Sequence, residues 1–323
     1  MIRPVPARLR RLTIRDFRKI DHLEIELPLG DGHREGALVL AGDNGGGKTS
    51  VLEAILLLFG RLDLLPPDTA SPRDLVRLGA ADFHVEGDVR VGTRVLKWQV
   101  NRAGVESLDA RLCRPGEASS YGTAVARDAL DEVLRDHAWG GFGPPEFAVE
   151  YLSAQRDAVG AFPGTTRCRV AEMKRRLVGA DAFHRPEHDV ALRIETFMRT
   201  FFGDRWALDV TARSDESEGQ VVVRDGAVPI DRLSSGETAL LAMTYPFVFG
   251  DRAPDLVLLD EPEQHMHEHW QSALLPALRD LSPSTQFVVT THSSWVLDTV
   301  TSYERAQLTP SDEPHMPLTL EPR

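Results

Sequence analysis

The sequence predicts an α/β protein: a mainly parallel sheet flanked by helices, with an antiparallel β lobe and a small helical insertion. Three observations predict it. Residues 37–59, ALVLAGDNGGGKTSVLEAILLLF, read as a β-prone apolar run, a glycine-rich turn and an apolar helix, in that order. Residues 255–263, DLVLLDEPE, and 286–294, QFVVTTHSS, contain continuous apolar runs, as strands do when a parallel sheet is covered on both faces. Residues 83–112 alternate in the strand manner, with Gly87, Gly92 and Gly104 as punctuation, and predict antiparallel hairpins beside the first unit.

Composition narrows the class of function. The chain has 323 residues, 42% hydrophobic and 27% charged, which is ordinary globular composition and excludes disordered and fibrous classes. The longest apolar run near the front, Ala54 to Phe59, is far short of the roughly 18 residues that a bilayer-spanning helix needs. The arginine-rich start lacks the apolar core of a secretory signal, and Cys113 and Cys168 have no metal-type spacing, so a cytoplasmic protein without a membrane partner is expected. A net charge of −12 argues against coating nucleic acid with the whole surface. Two local basic runs remain. The first is Arg3, Arg8, Arg10, Arg11, Arg15, Arg18 and Lys19; the second is Arg167, Arg169, Lys174, Arg175 and Arg176. Runs of this kind are usually solvated faces, although they leave DNA open as a partner. Only four lysines occur in the chain, and Lys48 is one of them.

The glycine-rich turn carries the chemistry. It fits G-x-x-x-x-G-K-[ST] as Gly42, Gly47, Lys48 and Thr49, between a strand and a helix as that motif requires. Glycines let successive backbone N–H groups converge on phosphate oxygens, and the start of the helix adds the positive end of its dipole. The expected nucleotide-binding set is Gly42, Asn44, Gly45, Gly46, Gly47, Lys48, Thr49 and Ser50. Lys48 is expected to reach the β- and γ-phosphates, and the Thr49 hydroxyl to bind Mg²⁺, which prefers oxygen ligands shared among protein, water and nucleotide.

Two strand ends complete a site for hydrolysis. At the end of DLVLLDEPE, Asp260 is expected to hold Mg²⁺ and Glu261 to serve as general base for an attacking water. Buried carboxylates are costly unless they meet a cation or a proton. At the end of QFVVTTHSS, His292 is placed to hydrogen-bond the γ-phosphate or the water.

Between these runs, Leu233-Ser234-Ser235-Gly236-Glu237 opens a predicted helix through Phe249. With the phosphate loop, DLVLLDEPE, TTHS and the opening RLRRLTIRDFRKIDHLEIEL, it resembles the ATP-binding-cassette heads of SMC, RecF and OLD-like ATPases, a branch of the P-loop NTPase fold. The resemblance spans about 290 residues in the family's order. It implies that two heads clamp two ATP molecules head to tail, with Ser234, Ser235, Gly236 and Glu237 of one copy capping the γ-phosphate held by the other. It also implies a glutamine that contacts Mg²⁺ and the water; Gln155 is the candidate and Gln99 the weaker alternative. The signature departs from the transporter form at Ser235 and in the Thr-Ala-Leu that follows Glu237. Glu268 stands where the OLD-like stretch commonly has proline. His265, His267 and His269 invite a metal reading, but on a helix only the first and last share a face, so an interface or capping role is expected.

The expected organisation is an N-terminal ATPase lobe over 1–155, a helical insertion over 156–205 in place of coiled-coil arms, and a C-terminal lobe over 206–323. A helix over 123–137, a loop over Gly140 to Pro145 and a hairpin around Asp215 to Gly219 are also predicted. The 31 residues after His292 are too few for a nuclease domain, so a separate nuclease or effector protein is the expected partner, in anti-phage defence or DNA repair. A transporter's cytoplasmic ATPase is the rival.

Overall fold

The structure, a computed structural model, describes residues 7–30, 32–61, 64, 72–91, 94–102, 108–114, 117–122, 147–153, 166–178, 187–211, 220–223, 228–250, 252–264 and 266–308. The chain opens with β1 (Ala7–Phe17) and β2 (Ile20–Glu26), an antiparallel pair joined by the two residues Arg18 and Lys19. Leu9, Leu12, Ile14 and Phe17 of β1 are buried, whereas Arg11 and Arg15 face solvent. Next come β3 (Ala37–Gly42), α1 (Lys48–Leu58) and the short α2 (Pro72–Leu75). The strands β4 (His84–Val91), β5 (Arg94–Arg102), β6 (Leu108–Arg114) and β7 (Glu117–Gly122) follow as antiparallel neighbours. They extend the first pair into a six-stranded sheet of order β2-β1-β4-β5-β6-β7, the antiparallel lobe the alternation over 83–112 predicts.

The second sheet is parallel and holds the strands with continuous apolar runs. After β8 (Val149–Ser153) come the helices α3 (Thr166–Val178) and α4 (Glu187–Phe202), then a small antiparallel sheet of β9 (Leu208–Thr211), β10 (Gln220–Val223) and β11 (Val228–Pro229). The chain continues through α5 (Ser235–Val248), β12 (Leu256–Asp260), α6 (Glu268–Leu281), β13 (Gln286–Thr291), α7 (Ser294–Leu297) and β14 (Arg305–Leu308). Strands pair in the order β14-β3-β13-β12-β8, all parallel.

Every residue of β12 and β13 is buried because the sheet is covered on both sides. Leu38, Leu40, Leu256, Leu258 and Val288 join one core with α1 and the antiparallel lobe. The alternate residues Val39, Val257, Leu259, Phe287 and Val289 join a second core with α3 to α6, to which α3 and α4 contribute Met173, Leu177, Ile194 and Phe197. Helix α1 lies between the two sheets and is buried from Val51 to Leu58, including Glu53, which explains its lack of a polar face. Each fully buried Leu or Ile there contributes about 1.5–3 kcal/mol of transfer free energy. The sheets are also tied directly: the Gln286 side chain accepts from Leu9 N at 3.1 Å and donates to Leu9 O at 2.8 Å.

Both basic runs are largely spent on internal pairs. Arg8 is buried against Glu35 at 3.0 Å, Arg11 pairs with Glu26 at 3.1 Å, and Arg18 meets Glu53 of α1 at 2.9 Å. In the second run Lys174 pairs with Asp231 at 3.1 Å, and Arg175 and Arg176 both pair with Glu172. Gly87 lies within β4 and not at a turn. The hairpin predicted around Asp215 to Gly219 is the antiparallel β9–β10 pair, whose connecting residues lie outside the described ones, as do the helix predicted over 123–137 and the loop over 140–145.

Candidate nucleotide site

The C-terminal ends of β3, β12 and β13 meet on one edge of the parallel sheet, where such sheets bind ligands. The phosphate loop leaves β3 there. Its exposed tip is Asn44 and Gly45, and Gly46 N–H donates to Asp43 O at 3.0 Å. Gly47 caps α1 with φ of 87°, a left-handed conformation that glycine adopts without strain. A side chain there would also meet Ile20, at the end of the β1–β2 turn, at 3.4 Å. The helices α5, α6 and α7 each close their first turn with a side chain, from Ser234, His267 and Ser293. No side chain caps α1 and no acidic residue lies in its first turn, so its first N–H groups remain open for an anion.

Lys48 is the buried cation of this edge. Its Nζ donates to Gly42 O at 2.9 Å and Asp43 O at 3.2 Å, and lies 2.6 Å from His292 Nε2. Burial lowers its pKa from the ordinary lysine value, against the pull of Glu261, Asp260, Glu263 and Asp43. Thr49 is exposed and its hydroxyl stands 3.2 Å from Asp260 Oδ1; Ser50 is half-buried beside it.

Asp260 ends β12 within a ring of hydroxyls. Thr290 donates to Oδ1 at 2.6 Å and Tyr151 of β8 to Oδ2 at 3.0 Å. The next residue, Glu261, has a φ of 46°, held by its N–H donating to Thr290 O at 3.1 Å and Thr290 Oγ1 at 3.0 Å. Non-glycine residues occupy that region at a cost of about 1–2 kcal/mol. This backbone turn carries the carboxylate to 3.1 Å from His292 Nε2 and 4.0 Å from Lys48 Nζ, and Gln264 donates to its other oxygen. Lys48, Thr49, Asp260, Glu261 and His292 are therefore brought together from three strands.

Asp260 and Thr49 suit Mg²⁺ by donor type, both being hard oxygens. Among the described residues no group of three or more His, Cys, Asp and Glu could hold a metal ion, so an ion at this edge would draw further ligands from phosphate and water.

The residues of the predicted signature open α5. Ser234 and Ser235 are exposed, Gly236 is buried and Glu237 is half-buried at the start of α5. Ser234 N–H and Oγ both donate to Glu237 Oε2, at 2.9 and 2.6 Å, while Glu237 N–H donates to Ser234 Oγ at 3.3 Å. This capping box already places a carboxylate where an anion would sit, leaving the N–H groups of Ser235 and Gly236 as open donors.

Gln155 lies outside the described residues. Gln99 is on β5, where its amide donates to Glu86 at 2.7 Å. His265 also lies outside them; His267 and His269 stack at the exposed start of α6, with ring centroids 5.4 Å apart. Sequence reasoning passed over three residues. Lys19, counted only as part of a basic run, brings Nζ to within 3.4 Å of where a side chain on Gly45 would begin. Its place between two alternating strands was the available signal. Tyr151 carries no motif. Glu263 ends the run DLVLLDEPE without a role of its own in that motif.

Two family profiles match the chain, "AAA domain" over residues 11–102 and "AAA domain, putative AbiEii toxin, Type IV TA system" over 172–298. Among solved structures, an SMC head bound to the C-winged helix domain of ScpA superposes with a TM-score of 0.64, at 14% identity over 90% of this chain and 91% of that one. The recombination mediator protein RecF with ATP gives 0.52, at 12% identity over 94% and 98%. The chain has the fold of the SMC and RecF ATPase heads. Sequence relatives agree with the fold. The head is 38% identical over 130 residues to the "DNA replication and repair protein RecF" of Anaeromyxobacter sp. (strain Fw109-5), covering 39% of this chain and 33% of that protein. It is 28% identical over 120 residues to the "Retron Vc95 probable ATPase" of Vibrio cholerae serotype O1 biovar El Tor, covering 34% and 23%. The matched stretches thus span a quarter to a third of those relatives. The first profile covers the phosphate loop of the head, and the second covers its signature, Asp260, Glu261 and His292. Among the described residues no helix is long and apolar enough to cross a membrane.

Proposed function

We propose that the head binds MgATP, pairs head to tail with a second copy around two nucleotides, and hydrolyses ATP at the shared interface. The observation that carries this reading is the convergence of Lys48, Thr49, Asp260, Glu261 and His292 on one sheet edge, while Ser234 and Ser235 stand exposed on another helix. In it, the loop N–H groups from Gly42 to Ser50 and the Lys48 ammonium bind the triphosphate. Thr49 and Asp260 hold Mg²⁺, which when bound neutralises phosphate charge. Glu261 takes the proton of the attacking water, and His292, beside it, donates to the γ-phosphate or orients that water. Ser234, Ser235, Gly236 and Glu237 of the second copy close the site, and Gln155 is the further candidate ligand to Mg²⁺ and water.

The RecF and retron ATPase relatives support a role linked to DNA repair or anti-phage defence, in which ATP state is relayed to a separate nuclease or effector and DNA is a possible partner. Size-exclusion of Glu261→Gln tests the core of this: with MgATP the protein should elute as a dimer and without it as a monomer. Elution as a monomer at every concentration with MgATP excludes closure in trans. Phosphate release by the unmodified protein should be lost in Lys48→Ala and Glu261→Gln.

A further inference from the structure

Two residues beyond Glu261, the chain turns back under β13. Glu263 is nine-tenths buried, and its Oε1 accepts two bonds: from Thr291 Oγ1 at 2.6 Å and from the backbone N–H of His292 at 2.8 Å. Thr291 Oγ1 accepts in turn from Ser293 N–H at 2.9 Å. The N–H groups on either side of the His292 carbonyl are thus both wired to one carboxylate, one directly and one through a hydroxyl. The other oxygen, Oε2, is buried without a hydrogen-bond partner.

Lys48 Nζ meets the ring of the same His292 at 2.6 Å. Glu263 thus holds His292 through the backbone, while Lys48 and Glu261 meet it at the ring.

Resting on the reading of the site given above, we infer that Glu263 is a positioning residue for ATP hydrolysis, fixing the His292 backbone so that the ring stands between Glu261 and Lys48. It touches no reacting atom. It makes the turn after β12 and the turn after β13 one rigid unit, so that base and histidine keep their separation of 3.1 Å. Displacing a group by about 1 Å in such a constellation costs on the order of a hundredfold in rate.

The test is a cycle of Glu263→Ala, Glu263→Gln, His292→Ala and the double variant Glu263→Ala/His292→Ala in the full chain. ATP turnover is read together with amide exchange at residues 291–294. Glu263→Ala should lower kcat by about tenfold or more with KM for ATP within about threefold, and should cost nothing further once His292 is alanine. Glu263→Gln, which keeps Oε1 as acceptor, should restore most of the rate. Exchange of the His292 amide should quicken at least tenfold in Glu263→Ala, because its hydrogen bond is gone. Equal losses with and without His292, or a loss shared by kcat and ATP affinity, overturn the inference. If Glu263→Ala does not fold, Thr291→Val removes one of the two donors and should quicken the same amides; unchanged exchange there overturns it. An unmodified protein that releases no phosphate defeats the ATPase reading instead, and the His292 amide still decides whether Glu263 holds this turn.

Discussion

Lys48 Nζ lies 2.6 Å from His292 Nε2, and the same ring nitrogen lies 3.1 Å from Glu261 Oε1. The ammonium can only donate, so Nε2 accepts and the ring proton is on Nδ1. A bare Nε2 cannot donate to Glu261, so a hydrogen bond from Lys48 and one to Glu261 exclude each other at that nitrogen. In the proposed site, phosphate oxygens engage Lys48 and leave the His292 ring to the γ-phosphate or the attacking water. His292→Ala is therefore expected to lower kcat for ATP by about a hundredfold while nucleotide affinity stays within a few-fold, and Lys48→Ala to abolish nucleotide binding. Titration with a fluorescent ATP analogue beside steady-state phosphate release separates the two. Equal losses of affinity in both variants contradict this division of labour.

Lys48 also bears on stability. Its pKa is lowered by burial, so folding disfavours its charged form, and the penalty is full below the lowered folded pKa. As pH rises through the lowered folded pKa the folded lysine neutralises and the penalty begins to fall; it is gone above the unfolded value. Lys48→Met should accordingly unfold at a higher temperature than the unmodified protein at pH 7, and the gap should close as pH rises toward 10.5, the ordinary lysine value. Thermal unfolding without nucleotide across that range is the measurement. A gap that stays constant with pH assigns the difference to packing.

Closure in trans, as proposed, divides the site between two copies. On that proposal Ser234→Arg should spoil closure while leaving the phosphate loop intact, and Lys48→Ala should spoil the loop while leaving Ser234 to Glu237 intact. Each alone is expected to be inactive. Mixed in equal amounts they form heterodimers with one intact composite site, so about a quarter of the unmodified activity should return. No recovery over a range of protein concentration argues for a site completed within one chain.

What the sequence discloses follows from how each segment is buried. Strands β12 and β13 are apolar throughout because both faces of the parallel sheet are covered, so their runs are visible without any periodicity. The phosphate loop is legible because backbone curvature and a lysine are demanded at fixed spacing. The Ser234–Glu237 capping box is legible in the same local way, since both partners lie within one turn. The rest is not local. Tyr151 reaches Asp260 from a strand 109 positions earlier, and Glu263 finds its partners 28 and 29 positions on, in a strand that only the fold places beside it. The basic runs mislead for the same reason: Arg8 and Arg18 find their acids at Glu35 and Glu53, which linear charge counting ignores.

Gly87 shows how a residue type can be read correctly as special and assigned the wrong reason. As punctuation between strands it would tolerate alanine at a small cost. In the structure it pairs with Leu12 and Trp98 inside the six-stranded sheet, and a Cβ there would stand 2.3 Å from Leu58 Cδ2 and 3.1 Å from Leu9 Cδ1. The missing side chain is what lets α1 approach β4. Leu58 is buried at 1% exposure at the end of the helix that the phosphate loop begins, so its displacement cannot be absorbed by solvent. Gly87→Ala is expected to destabilise the fold by about 1–3 kcal/mol, the usual cost of overpacking. Leu58→Ala alone should cost about 2–5 kcal/mol through the cavity it leaves. Combined, the two should cost less than their sum by about 0.5–3 kcal/mol, because the new methyl enters space the leucine vacated. Urea unfolding of the two single variants and the double variant measures this coupling, and strict additivity would show that Gly87 is not held small by α1.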